Sequence, residues 1–292
     1  MDALKHRKYP VSHRLISFLR DLDLRGIRRL SVDLPRILLP DPKSTGPHIL
    51  QTIHGFKMKI DPSRDSGVEL SLFQTGTYEK GTLHLLRKFL QAGDTFIDVG
   101  ANIGLMSVFA AGCVGEKGRV IAFEAHPETF EWLKDNIAIN HINCIETRGY
   151  ALGDENTTAL IYDNWDINRG GASLVVKQAD AIGHEVDVKV LDEVLPAGIV
   201  PKVIKVDVEG FELQVLKGAK QTILQHKPIL IVEYSVHRDN RYEDTELIDY
   251  IESFGCYKLF KLSGTKERKS KLIEIRTREE LPEHDNIVCL PS

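Results

Sequence analysis

Apolar positions along this chain switch between two periods. Short, β-branched runs stand at Phe96–Val99, Arg119–Glu124, Cys144–Thr147, Lys202–Val208 and Pro228–Tyr234. Between them apolar residues return every three or four positions, as in Phe130, Leu133, Ile137 and again in Phe211, Val215, Leu216, Ala219, Ile223. A further helical set is Leu247, Ile248, Ile251, Phe254. Strands alternating with helices predict a three-layer α/β sandwich on a mostly parallel sheet. At the tail, Tyr257–Leu262 and Asn286–Leu290 read as strands around a charged turn, Thr265–Lys271, with no clear helix between them. That predicts an antiparallel hairpin closing one edge.

Upstream the pattern is less regular. Val11, Leu15, Phe18 and Leu19 share one helical face and predict a helix packed through it, within helical pieces over residues 1–34. Pro35, Pro40, Pro42, Gly46 and Pro47 make a linker. Residues 1–48 are therefore expected to form a helical N-terminal extension and residues 49–292 the catalytic domain. Ile49–Ile60 predicts a hairpin turning at His54-Gly55, Asp61–Thr77 an irregular stretch, and Gly81–Leu90 a helix. Ala151–Asp154 predicts a turn, Thr158–Tyr162 and Glu185–Leu191 strands, and Asp163–Ser173 a polar loop holding Trp165 and Arg169.

The rest is organised around Phe96–Gly104, FIDVGANIG: a strand, a glycine turn and a helix start. Such a turn brings backbone N–H groups and the positive end of a helix dipole up to a ligand. Glu124 ends the next strand twenty residues after Gly104, where an acid can hold two ribose hydroxyls. The dinucleotide fingerprint G-x-G-x-x-G is absent, because Asn102 stands where its second glycine should be. These features favour a nucleoside without phosphates, and S-adenosylmethionine is the common one.

Ligands of such sheets sit beyond the carboxyl ends of the strands. Those ends deliver Asp98, Glu124, Asp154, Asp207 with Glu209, and Glu233 with His237. Clustered carboxylates repel, so folding alone does not explain them. Glu209 and Glu212 also suit capping of the following helix. Asp207 reads as a general base for a substrate hydroxyl, or with Glu209 as a ligand of a divalent metal; the base ranks first and no metal is assigned. Lys205 shares a strand face with Asp207, and His237 is a secondary candidate.

Composition narrows the partners. The 292 residues carry a net charge of −4, with 42% hydrophobic and 27% charged residues, which argues against a nucleic-acid partner. Four dispersed cysteines form no C-x-x-C pair, and neither a secretory signal nor a membrane-span pattern is legible, so a soluble cytoplasmic protein is expected. A homo-oligomer stays open. The basic start is compatible with an anionic membrane surface, a reading ranked below packing on the main domain or a second subunit.

The blocks FIDVGANIG, AFEAHP, ALGD, GGASL, LDEVL, IKVDVEGFELQVLKGA and PILIVEY, in this order, resemble the FkbM-type S-adenosylmethionine-dependent methyltransferases over roughly residues 50–290. The resemblance implies the class I methyltransferase fold and O-methylation of a hydroxyl on a sugar, glycolipid or polyketide-like small molecule. It implies that Asp98, Gly100, Asn102 and Gly104 line the methionine end, Glu124 the ribose, Asp154 the adenine surroundings and Tyr78-Glu79 the cofactor side. Asp207 and Glu209 fall in the family's acidic motif, with Asp207 or His237 to take the hydroxyl proton; Trp165 and Arg169 would cover the acceptor. The rivals are a nucleotide-sugar glycosyltransferase, an NAD-dependent sugar enzyme and a cofactor-binding protein without catalysis.

Overall fold

The computed structural model describes residues 4, 6–21, 33–162, 183–236 and 241–292. Near its start β1 (His6–Arg7) runs parallel to β2 (His48–Gln51), which returns antiparallel as β3 (Lys57–Ile60). Between them, α1 (Pro10–Asp21) lies against α2 (Val68–Thr75). The Nε2 of His13 is 2.8 Å from the Phe73 carbonyl oxygen, and Arg20 donates to Gln74 Oε1 at 2.9 Å.

These contacts reverse the expected face of α1. His13, Ile16 and Ser17 are buried, whereas Val11, Leu15 and Phe18 are 80%, 45% and 58% exposed. Two fixed polar contacts on α2 outweigh the apolar stripe in setting the rotation of the helix. Helix α2 itself replaces the irregular stretch expected over 61–77. Asp65 Oδ1 accepts from the N–H groups of Gly67 and Glu69, both at 2.9 Å, which starts the helix, and Gly76 at φ +70° ends it. Eight residues are too few to show a clear period. Residues 33–38 are helical, so the helical stretch runs past Pro35 into the expected linker.

The main sheet follows. Helix α3 (Lys80–Phe89) leads to β4 (Thr95–Val99), α4 (Leu105–Val114), β5 (Arg119–Phe123), α5 (Pro127–Ala138) and β6 (Ile145–Arg148). After them come β7 (Ala151–Gly153), β8 (Thr157–Tyr162) and β9 (Gly183–Val190). Then follow β10 (Pro201–Val206), α6 (Glu212–Gly218), α7 (Lys220–His226), β11 (Ile229–Ser235) and α8 (Arg241–Ser253). The tail supplies β12 (Tyr257–Leu262), β13 (Leu272–Glu274) and β14 (His284–Pro291).

Eight strands pair in the order β13-β12-β14-β11-β10-β4-β5-β6. From β11 to β6 the pairs are parallel; β14, β12 and β13 add the antiparallel edge. Phe96 and Ile97, both fully buried, point into the cores on opposite faces of β4, as a strand covered on both sides requires. One core holds Phe73, Leu86 and Phe109, the other Leu216, Ile248 and Ile287.

Residues 151–153 are a strand, not a turn: β7, β9 and β8 form their own sheet. Helix α6 presses on it so closely that a Cβ on Gly218 would stand 1.9 Å from the Gly153 carbonyl oxygen. The single helix expected after β10 is broken at this point into α6 and α7. No helix among the described residues is long and apolar enough to cross a membrane.

Candidate active site

Two turns close on each other at the carboxyl ends of β4 and β10. Gly100 has φ +78°, and an added Cβ there would meet the Asp207 carbonyl oxygen at 1.8 Å, so only glycine fits. The Asp207 N–H in turn donates to the Val99 carbonyl at 3.0 Å. Asn102 also takes a left-handed conformation, φ +51°. Its N–H donates to Glu124 Oε2 at 2.8 Å, while the other Glu124 oxygen accepts from the His126 N–H at 2.9 Å. Glu124 thus fixes the glycine turn from the neighbouring strand. Burial pushes its carboxyl up to about 7 against the lowering effect of these hydrogen bonds.

The turns border a cleft of about 320 Å³. One end is walled by Phe123, Tyr150, Leu152, Ile161 and Phe211, an apolar slot suited to a flat base. The other end is charged. Lys205, with only 4% of its side chain exposed, donates from Nζ to Asp207 Oδ2 at 2.7 Å. Lys266 bridges Glu233 at 2.6 Å and Glu79 at 3.2 Å. Glu209, at φ +52°, stands outermost.

The lysines sort these acids by strength. Burial alone would raise Asp207, but Lys205 and Lys266 outweigh it and hold the carboxyl far below its usual range. For Lys205, burial is likewise outweighed by Asp207, Glu79 and Asp98, so the ammonium is held more firmly than usual. Glu233 is raised by burial and by Asp207 despite Lys266. Residue 209 as a whole is exposed, yet burial of its carboxylate, reinforced by Asp207 and Glu212, pushes it up to about 7.

The structure brings Glu79, Gly100, Asn102, Glu124, Lys205, Asp207 and Glu209 to the cleft lining. Other expected residues stand elsewhere. Asp98 lies beneath the floor, fully buried; Oδ2 accepts from Ser107 at 2.5 Å and Oδ1 has no partner. Burial raises its carboxyl, with Lys205, its paired neighbour on β10, opposing. Gly104, at φ +90°, packs on Leu133 away from the cleft, and Asp154 is exposed outside it. Trp165, Arg169 and His237 lie outside the described residues. Glu212 is a capping acid, accepting from the N–H groups of Val208 and Gly210 at 3.0 and 3.1 Å.

Tyr78, next to Glu79 before α3, lines the cleft as well, whereas two titratable lining residues escape sequence reasoning. Lys266 sits in the charged turn of the tail, and His284 opens β14 with Nδ1 hydrogen-bonded to Ser235 Oγ. A basic residue in a charged turn carries no signal that it folds inward. His284 follows a polar run that reads as surface.

Two groups fit this donor set to different degrees. Oxygens of Asp207, Glu209 and Glu233 lie within 4.8 Å of one another, a spacing that suits a divalent cation, but Lys205 and Lys266 already supply opposite charge to two of them. S-adenosylmethionine fits throughout. The apolar slot takes the base, the Glu124 oxygens keep lone pairs for ribose hydroxyls, and the acid-rich end suits a sulfonium.

The family profile described as "Methyltransferase FkbM domain" matches residues 98–257. Hexuronic acid methyltransferase AglP of Haloferax volcanii is 33% identical over 159 residues, 53% of this chain and 62% of that protein. A probable cobalt-precorrin-6B C(15)-methyltransferase (decarboxylating) of Sulfolobus acidocaldarius is 30% identical over 172 residues, 51% of this chain and 84% of that one. A crystal structure of methyltransferase FkbM from Methylobacillus flagellatus superposes with a TM-score of 0.43 at 20% identity, covering 75% of this chain and 52% of that one. The chain thus spans about three-fifths of the length of AglP and half of the Methylobacillus protein. With more than half of its residues inside the profile, the chain belongs to the FkbM methyltransferase family, and S-adenosylmethionine is its cofactor.

Proposed function

We propose that the chain transfers a methyl group to a hydroxyl of a small, sugar-related acceptor. The observation that carries this reading is the pairing, in one cleft, of a ribose-type acid, Glu124, with a lysine-ordered row of carboxylates, Asp207, Glu209 and Glu233. The name of the Haloferax relative, a hexuronic acid methyltransferase, supports a sugar. A glycolipid acceptor falls in the same class. The catalytic unit is residues 49–292, with 1–48 as its extension, and the four free cysteines support a reducing, cytoplasmic setting.

The bound cofactor supplies an electrophilic methyl group on a sulfonium. Glu124 holds the ribose and, through Asn102, the glycine turn. Asp207, ionised and fixed by Lys205, accepts a hydrogen bond from the acceptor and orients it. A carboxyl so strongly acidic is a weak base. Glu209, raised to about 7, matches the task of accepting the hydroxyl proton near neutral pH.

Calorimetric titration with S-adenosylhomocysteine, NAD and a nucleotide sugar tests the cofactor half. Selective micromolar binding of the first, about −8 kcal/mol, is expected. Binding should weaken by about 1.5–3 kcal/mol in Glu124→Ala, the scale of a hydrogen bond to a charged group. Radiolabelled methyl transfer to a panel of hydroxylated glycans tests the other half; label on carbon or nitrogen only would overturn O-methylation.

A further inference from the structure

The outward face of α1 has no role in the cleft. Val11, Leu15 and Phe18 follow one another at helical spacing, 80%, 45% and 58% exposed, on a helix roughly 18 Å long. No described residue covers them. The next described segment, 33–38, adds Ile37 and Leu38, 75% and 44% exposed. Both segments flank α2: α1 through His13 and Arg20, the other through a cavity that Pro35 and Arg36 line with Phe73 and Gln74.

In sequence, the stretch that carries α1 bears charge of one sign. Lys5, Arg7, Lys8, Arg14 and Arg20 occur between Asp2 and Asp21 without an intervening acid, whereas the whole chain is at −4. Lys8, Arg14 and Arg36 are exposed. An apolar stripe rimmed by cations is the pattern of a helix lying in a lipid interface. A second copy fits it poorly. A two-fold contact would set like-charged rims against each other, and three side chains fall well short of the ~800 Å² per partner of a stable interface.

We propose that this face of α1 docks the protein on an anionic lipid bilayer. Helix α2 joins that surface to the active site, because Gly67 and Val68 at its start line the cleft while Phe73 and Gln74 at its end hold α1. Docking therefore sets the cleft roughly one short helix, ~12 Å, from the support of α1. It suits an acceptor whose hydroxylated head is held at a membrane, a consequence that rests on the methyl-transfer reading above.

The test is co-sedimentation of the whole chain with vesicles of phosphatidylcholine alone and of phosphatidylcholine with about one third phosphatidylglycerol. Binding is expected only to the anionic vesicles and should fall as salt is raised. The triple variant Val11→Ser, Leu15→Ser, Phe18→Ser should lose roughly tenfold or more in partition. Lys8→Glu with Arg14→Glu should lose at least as much, since each cation is worth about fivefold at such a surface. All substituted residues are exposed, so thermal melting and S-adenosylhomocysteine titration should not change, which separates failure of docking from failure of the cofactor assignment. Absence of vesicle binding, equal binding by the variants, or a dimer in light scattering that the triple variant abolishes would each overturn the proposal.

Discussion

The Gly100 α-carbon and the Asp207 carbonyl are packed so tightly that a single added methyl would lie 1.8 Å from the oxygen. The contact joins the glycine turn after β4 to the acidic turn after β10, two segments more than one hundred residues apart in the chain. Gly100→Ala must therefore move one turn off the other as well as strain φ +78°. A loss of about 2–4 kcal/mol in denaturant unfolding is expected, with loss of S-adenosylhomocysteine binding. Unchanged stability would show that the turns give way easily.

The Lys205–Asp207 pair should behave as one unit. Asp207→Asn leaves a buried ammonium without its partner and is expected to cost about 3 kcal/mol of stability in addition to turnover. The double substitution Lys205→Met, Asp207→Asn should recover most of that stability and none of the activity. A double-mutant cycle on urea midpoints measures the coupling; additive effects would mean the pair is held apart in solution.

Glu209 predicts the acidic limb of the pH profile. Burial, with Asp207 and Glu212 beside it, pushes its carboxyl up to about 7 in the ligand-free protein, and only the ionised form accepts a proton. Turnover should therefore rise with pH through that value and be about tenfold lower at pH 6 than on the plateau. Glu209→Gln should lower turnover on the plateau and flatten the limb. A limb that persists in Glu209→Gln would assign it to another group.

The same shift makes a stability prediction. A carboxyl raised from its ordinary value of 4.5 to about 7 favours folding in its protonated form. That contribution is full below 4.5 and disappears as pH rises through 7. Relative to Glu209→Gln, the ligand-free protein should lose stability between pH 5 and pH 8, measured by thermal unfolding. No difference between the two across that range would contradict the crowded carboxylate.

Much of the sheet was legible because β4, β5, β10 and β11 are buried on both faces and read as unbroken apolar runs. Glu124 was legible for a related reason: a strand end at fixed distance from a glycine turn has one place to go. Lys266 and His284 were not legible, because they reach the cleft from an antiparallel edge whose register no local pattern announces. Periodicity identified the apolar set on α1 but assigned it inward, since period alone does not choose between two neighbours competing for a helix face. There, two polar contacts to α2 decided the matter. Asp98 shows the converse, an acid at a strand end that the next helix covers through Ser107.

The hydrogen bond from Asn286 to Glu79 spans 207 residues of chain, and Lys266 joins the same acid from the tail. Contacts of such separation close long loops, and long-range pairing is slow to form. The catalytic wall is therefore expected to be completed after the parallel sheet. During refolding, far-ultraviolet ellipticity should return ahead of ligand binding, leaving an interval in which the protein has its architecture and no chemistry.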